Sequence, residues 1–174
     1  AEHILNIWLA EFQVETFGSS QGAAAVALGL FFGGMMVGRL GSVRLTRRLG
    51  ASRILAVSSG LMAVFIVVTA FAPSFTASEV CIFLVGVGAS ASYPMLSSYV
   101  NRFPAKYSGL LFSLVTLVVV VSGAVFAYAA GPIAEALGMR AAIGLAAIPA
   151  ALVVGLSFLL PGKQVVSLPS IRER

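Results

Sequence analysis

Five long stretches of this chain contain no charged residue, and this feature limits the possible folds more than any other. They are 19 to 28 residues long and cover residues 18–38, 54–72, 80–101, 107–134 and 141–162. An α-helix needs about 20 apolar residues to cross the hydrocarbon core of a bilayer. Membrane barrel strands would be about 10 residues long and would alternate in polarity, which these runs do not do. The sequence therefore predicts an all-α, polytopic membrane helix bundle.

A shorter apolar segment, residues 4–10, precedes the first run. It predicts a partial helix over residues 1–16, which we interpret as the truncated end of a further span. The chain begins without Met and without a signal peptide, so we expect it to be part of a longer protein. The helix bundle is predicted over residues 1–162, with full spans at about 18–40, 53–72, 78–101, 107–131 and 140–160. A cytoplasmic tail is predicted over residues 163–174.

Composition excludes several classes of protein. Only 10% of the residues are charged and 59% are hydrophobic, whereas a soluble domain carries about 25% charged residues. The net charge of +5 does not indicate nucleic-acid binding, because the basic residues lie in short gaps between apolar runs. One Cys and one His cannot form a disulfide framework or a Cys/His metal site. No cofactor is expected, and no nucleic acid is expected as a partner.

The basic residues predict the orientation of the chain in its membrane. Ten of the 11 lie in alternate gaps, which places them on one side, and positive charge in short loops marks the cytoplasmic side. Only Arg140 falls on the other side, together with four glutamates. The sequence therefore predicts a plasma-membrane protein with a cytoplasmic carboxy terminus. The ten residues are Arg39, Arg44, Arg47, Arg48, Arg53, Arg102, Lys106, Lys163, Arg172 and Arg174.

A family resemblance begins in the second connection. Residues 38–53 resemble the cytoplasmic loop motif of the major facilitator superfamily, which has a small-residue helix end, an Asp-Arg pair, a Gly and a basic cluster. The sequence departs from the motif at two places, with Arg47 at the Asp position and Val43 at a Gly position. Such departures are typical of the second copy, between helices eight and nine. The motif residues here are Gly38, Arg39, Arg44, Arg48 and Gly50.

Two further stretches agree with this resemblance. Residues 86–94 are similar to the Gly-rich, Pro-kinked helix ten, and residues 123–140 are similar to the end of helix eleven and its loop. The resemblance implies the carboxy-terminal half of the fold, helices seven to twelve. It also implies secondary transport by alternating access, with the missing amino-terminal half, the lipid bilayer, a small-molecule substrate and protons as partners.

The first helix resembles one branch of the superfamily. An acidic residue followed six positions later by Trp, at Glu2 and Trp8, is similar to helix seven of fucose-permease-like sugar–proton symporters. Sugar–proton symport is the function that this implies. The alternatives are a drug or metabolite efflux transporter of the same superfamily and a membrane fragment that does not transport. A membrane enzyme is disfavoured because the sequence lacks paired intramembrane carboxylates, a Gly-x-Ser-x-Gly motif and metal-ligand spacing.

Transporters of this class bind substrate near the bilayer midplane, and buried polar groups there are candidate ligands. The candidate substrate-binding residues are Glu2, Asn6, Trp8, Tyr93 and Asn101.

Each candidate also has a structural interpretation. Glu2 could be solvated at a frayed helix end, Trp8 could be an interfacial anchor, and the polar stripe that includes Tyr93 could pack helices together.

Two small-residue pairs and one proline predict details of the helix packing. Gly29/Gly33 and Gly34/Gly38 have the Gly-x-x-x-Gly spacing that lets membrane helices approach closely. Pro94 removes one backbone hydrogen bond and should kink helix ten. The arginines of residues 44–53 could form a gating latch, although the positive-inside effect alone explains them.

Overall fold

The computed structural model describes residues 1–49, 51–100 and 104–159, and this part of the chain forms helices joined by short connections, without a strand. The all-α prediction is confirmed. The described part contains eight helices: α1 (Glu2–Phe17), α2 (Gln21–Leu49), α3 (Ala51–Ala70), α4 (Phe75–Ala89), α5 (Ser92–Val100), α6 (Ala105–Leu137), α7 (Met139–Leu145) and α8 (Ala147–Ser157).

Four segments within the described ranges are long and apolar enough to cross a bilayer. Three lie in α2, α3 and α6, and the fourth joins α7 to α8. A fifth helix, α4, is apolar but shorter. The chain is therefore a membrane helix bundle, and the predicted tail over residues 163–174 lies outside the described residues. The four segments are Gln21–Ser42, Ser52–Ala70, Lys106–Leu137 and Met139–Ser157.

Short connections reverse the chain between neighbouring spans, which gives the bundle two ends of opposite character. We call one the acidic end. It contains the α1–α2, α3–α4 and α6–α7 connections, with Glu15, Glu79 and Glu135 near them. We call the other the basic end. It contains the α2–α3 and α5–α6 connections, with Arg53 and Lys106 near them.

Two helices are interrupted shortly before a proline. The helical conformation is interrupted between Ala89 and Ser92, before Pro94. It is interrupted again at Ala146, before Pro149. Proline has no N–H to bond the carbonyl four residues earlier, and its ring clashes with that carbonyl. The predicted span over 78–101 is therefore divided into α4 and α5, and the span over 140–160 into α7 and α8.

Glycines allow α4 to pack tightly between α2 and α3. A Cβ added to Gly34 would meet the main-chain oxygen of Phe83, and one added to Gly86 would meet that of Phe31. On the other side of α4, a Cβ on Gly88 would lie 2.6 Å from the main-chain nitrogen of Met62. The three helices thus touch backbone to backbone, as small residues permit in membranes.

Only one of the two predicted glycine pairs makes such a contact. Gly34 packs against α4, and a Cβ on Gly38 would lie 2.5 Å from the Ser90 hydroxyl. Nothing among the described residues lies within 4 Å of a Cβ built at Gly29 or Gly33, so in this part of the chain the close packing predicted for that pair is not found. The two pairs are offset by five residues, about 140° around the helix, and therefore point to different sides of α2.

The main core cluster lies where α1 to α4 meet and extends to α6, α7 and α8, and it combines large aliphatic and aromatic side chains with alanines. Outside this core the helices are apolar on their free faces too. α6 is the extreme case, since most of its side chains are exposed. Apolar surface of this extent is what a lipid environment accommodates. Representative buried residues are Leu5, Leu9, Phe31, Ile66, Ile82 and Val85.

Candidate functional site

Helix α1 carries three of the predicted substrate residues and packs against α2, α6 and α7. It ends at Phe17 because Gly18 adopts the left-handed conformation, with φ of 64°, and its N–H bonds the carbonyl of Val14. Glycine enters this conformation without steric cost. The sharp turn brings α2 back along α1, so the two helices form an antiparallel hairpin.

The hairpin sets Glu2 of α1 at the same depth as the side chain of Arg39 in α2. At about 1.5 Å of rise per residue, Glu2 lies about 22 Å from the acidic end of α1, and Met35 about 21 Å from that end of α2. Arg39 Nη2 is 3.3 Å from Met35 Sδ, so the guanidinium points back toward that level.

Glu2, Asn6 and Gln13 follow one another on α1 at spacings of four and seven residues, and they lie in two environments. Asn6 is exposed and Glu2 is partly buried. Gln13 is fully buried, and Ser78 Oγ donates a hydrogen bond of 3.3 Å to its Oε1. Asn6 and Glu2 are thus available at a free edge of α1, whereas Gln13 is used inside the bundle to join α1 to α4.

Trp8 and His3 face α6. The indole Nε1 of Trp8 donates a 3.0 Å hydrogen bond to the main-chain oxygen of Ala127, and its ring lies 3.6 Å from a Cβ built on Gly131. The imidazole of His3 lies against Gly123, where a Cβ would be 2.6 Å from His3 Cγ. Trp8 therefore holds two helices together in this structure, and a role in sugar stacking stays a prediction.

Two predicted ligands, Tyr93 and Asn101, come later in the chain. Tyr93 is the second residue of α5, and only its main chain is described. Asn101 lies outside the described residues. Their roles as substrate ligands therefore stay predictions.

Sequence comparison identifies the family. The family model of the Major Facilitator Superfamily matches residues 1–173. The chain belongs to the major facilitator superfamily. Proteins of this superfamily are in general secondary transporters and not enzymes, so transport across a membrane is the general activity to which the site must be related. No match was found among curated proteins.

In this major facilitator protein, the segment that resembles the superfamily's loop motif is helical over most of its length. Gly38, Arg39, Arg44 and Arg48 all belong to α2, which extends to Leu49, and Gly50 lies outside the described residues. Arg39 is exposed. Because Arg39 is more than two turns from the end of α2, it lies on the spanning part of the helix and not in the connection.

Two features of the site region were not predicted from the sequence as parts of a site. Ser78 was not singled out, and its bond to Gln13 spans 65 positions of the chain. Arg140 was noted only as the single basic residue on its side of the membrane. That exception was a usable signal, because a lone positive charge there needs a structural reason.

Proposed function

We propose that this chain is the carboxy-terminal half, helices seven to twelve, of a transporter that carries a sugar in symport with protons. The amino-terminal half would form the other wall of the central cavity, and lipid would surround both. The observation that carries the proposal is the position of Glu2 and Asn6 on a free edge of α1, at the depth of the Arg39 side chain.

These three side chains have the chemistry that a sugar requires. A hydroxyl that leaves water unpaired costs about 1–3 kcal/mol on protein-derived scales, so the cavity must supply replacement partners. The Asn6 amide both donates and accepts, the ionised Glu2 carboxylate accepts, and the Arg39 guanidinium donates. We propose that Tyr93 and Asn101 complete the set.

Glu2 is also the group that we propose to carry the proton. A charge inside the membrane is costly, and a carboxylate loses its charge when it binds a proton. The proton-loaded and empty states of this edge therefore differ in charge, and that difference is what couples a solute cycle to a proton gradient.

The coupling role can be tested in proteoliposomes that contain the transporter with both halves. Glu2→Gln keeps the shape of the side chain and removes its charge. We expect loss of sugar accumulation driven by an inward proton gradient, while sugar counterflow, which needs no gradient, continues. Glu11→Gln is the matched control, because Glu11 is exposed on the same helix. Unaltered gradient-driven accumulation in Glu2→Gln would exclude Glu2 as the coupling site.

The sugar-binding role has a separate test. Loss of one hydrogen bond weakens binding by up to about tenfold, so Asn6→Ala and Tyr93→Phe should each raise the KM for sugar by several fold. Unchanged KM values in both variants would reject the proposed cavity. Membership of the superfamily would be unaffected by that result.

We further propose that the basic end and the carboxy terminus face the cytoplasm and that the membrane is the plasma membrane. A Cys at position 46, in a chain with Cys81 replaced, should be reached by impermeant maleimide only after the cells are opened. A Cys at position 76, which is exposed near the acidic end, is the control and should react in intact cells. Reaction of position 46 in intact cells would reverse the topology.

A further inference from the structure

The side chain of Arg140 joins three helix ends at the acidic end of the bundle. Its Nη1 donates hydrogen bonds to the main-chain oxygens of Ala70, at 2.6 Å, and Ala72, at 3.2 Å. Its guanidinium carbon lies 5.6 Å from the centre of the Phe17 ring. Arg140 itself is the second residue of α7, so the contacts link the ends of α1 and α3 to the start of α7.

The Ala70 carbonyl is one of those that a helix leaves without partners, and the Ala72 carbonyl lies two residues beyond the end of the helix. α3 ends at Ala70, and the last four carbonyls of a helix have no donor within the helix. Pro73 follows and supplies no N–H. A guanidinium presents several N–H groups in one plane and also stacks on an aromatic face, so Arg140 can bind α3 and Phe17 together.

Phe17 carries the link further into the bundle. It is the last residue of α1, and its ring meets the edge of Phe75, at the start of α4, with 6.3 Å between centroids. It also packs at 87° to Phe12, at 5.7 Å. The end of α1 is therefore held by aromatic contacts on one side and by the guanidinium on another.

We propose that Arg140 is a positioning residue that fastens the acidic end of α1 to α3 and α7, so that these helices move as one body. Its place supports this, because among the described residues it is the one basic residue near the acidic end, which the proposed topology puts on the side that the positive-inside effect disfavours. The inference rests on the proposed function only in that α1 carries Glu2 and Asn6. It does not depend on which solute is carried.

Distances between paired spin labels in lipid nanodiscs test the proposal on the whole chain. With Cys81 replaced by Ala, one pair at positions 15 and 71 reports on α1 against α3, since both residues are exposed. We expect one narrow distance distribution in the parent. Arg140→Met keeps much of the apolar stem and removes the donors, and we expect it to add a component at longer distances.

Two controls separate fastening from general stability. A pair at positions 21 and 76 reports on α2 against α4, whose glycine contacts do not involve Arg140, and it should not change in Arg140→Met. Broadening of both pairs would indicate general loosening and overturn the proposal. Arg53→Met removes an exposed arginine at the basic end and should change neither pair. The proposal would also be overturned if Arg140→Met kept the narrow distance distribution of the parent between positions 15 and 71.

If Arg140→Met does not insert into the membrane, Phe17→Leu tests the same proposal. It removes the aromatic face under the guanidinium. The hydrogen bonds from Arg140 to the carbonyls of Ala70 and Ala72 stay in place. We expect it to broaden the distribution between positions 15 and 71 alone. An unchanged distribution would mean that Arg140 caps α3 without holding α1. These distances are measured without any transport, so their failure and failure of the proposed symport are distinguishable.

Discussion

Trp8 Nε1 donates a hydrogen bond to the main-chain oxygen of Ala127, which lies 119 positions away in the chain. An indole is large and rigid, and its single donor usually finds a partner when it is buried. Here the partner is a helix carbonyl of α6, and the ring lies over Gly131. The bond therefore fixes both the separation and the register of α1 and α6, next to the helix edge where Glu2 and Asn6 lie.

Replacing Trp8 by Phe should lower the free energy of unfolding by about 1 kcal/mol, because the hydrogen bond is lost while most of the apolar ring remains. Reversible unfolding in mixed micelles, followed by circular dichroism, measures this. Tyr128→Phe is the control, since Tyr128 is 84% exposed on α6. Equal stability of the two variants would contradict the packing role of Trp8.

Gly123→Ala should destabilise the contact between α1 and α6. The new methyl group would lie 2.6 Å from His3 Cγ, and overpacking of this kind costs about 1–3 kcal/mol. Gly109→Ala, on the same helix with nothing within 4 Å, should be neutral or slightly stabilising. His3→Ala should rescue Gly123→Ala in the double variant. Failure of that rescue would show that His3 is not what the methyl group meets.

Two neighbouring glycines of α2 should respond in opposite ways to the same change. Gly34→Ala would place a methyl group against the main chain at Phe83, which cannot move without moving α4. We expect a loss of about 3 kcal/mol or failure to fold. Gly33→Ala meets nothing within 4 Å and should gain up to about 1 kcal/mol from helix propensity. Similar stabilities in the two variants would reject the α2–α4 contact.

The buried Gln13–Ser78 pair should behave as a coupled unit. Gln13→Leu alone leaves the buried Ser78 hydroxyl without this partner and should cost about 1–3 kcal/mol. Adding Ser78→Ala removes the remaining polar group, so the double variant should recover most of the loss. The Gln13 Nε2 has no partner among the described residues, which favours full recovery. A strictly additive double-mutant cycle would count against the pair.

Much of the helical architecture could be predicted from the sequence because each span is apolar along its whole length. The charge-free run over 54–72 falls on α3, and the run over 107–134 falls within α6. Because the spans are apolar on every face, the sequence does not indicate which face of a helix contacts a neighbouring helix. Gly29 and Gly34 lie in equally apolar surroundings, so their spacing alone could not show that only Gly34 contacts α4.

The candidate site was less accessible to prediction, because its contacts join distant positions. Trp8 belongs to a recognisable sequence pattern with Glu2. Its hydrogen-bond partner is the main-chain oxygen of Ala127, and every residue type has such an oxygen, so the sequence could not identify it. Arg39 was assigned to a loop motif from its neighbours in sequence. Its proximity to the level of Glu2 follows from the tight turn at Gly18, and the length of that turn sets the register of the whole hairpin.

The two proline-dependent interruptions also have a consequence for amide exchange. Pro94 and Pro149 leave the carbonyls of Ser90 and Leu145 without their usual helical donors, so these junctions are the weakest points of two otherwise continuous rods. Local opening begins where backbone hydrogen bonds are fewest. In deuterium labelling, α4 and α5 should therefore gain mass as two separate cooperative units, and so should α7 and α8, with the intervening residues the first to exchange.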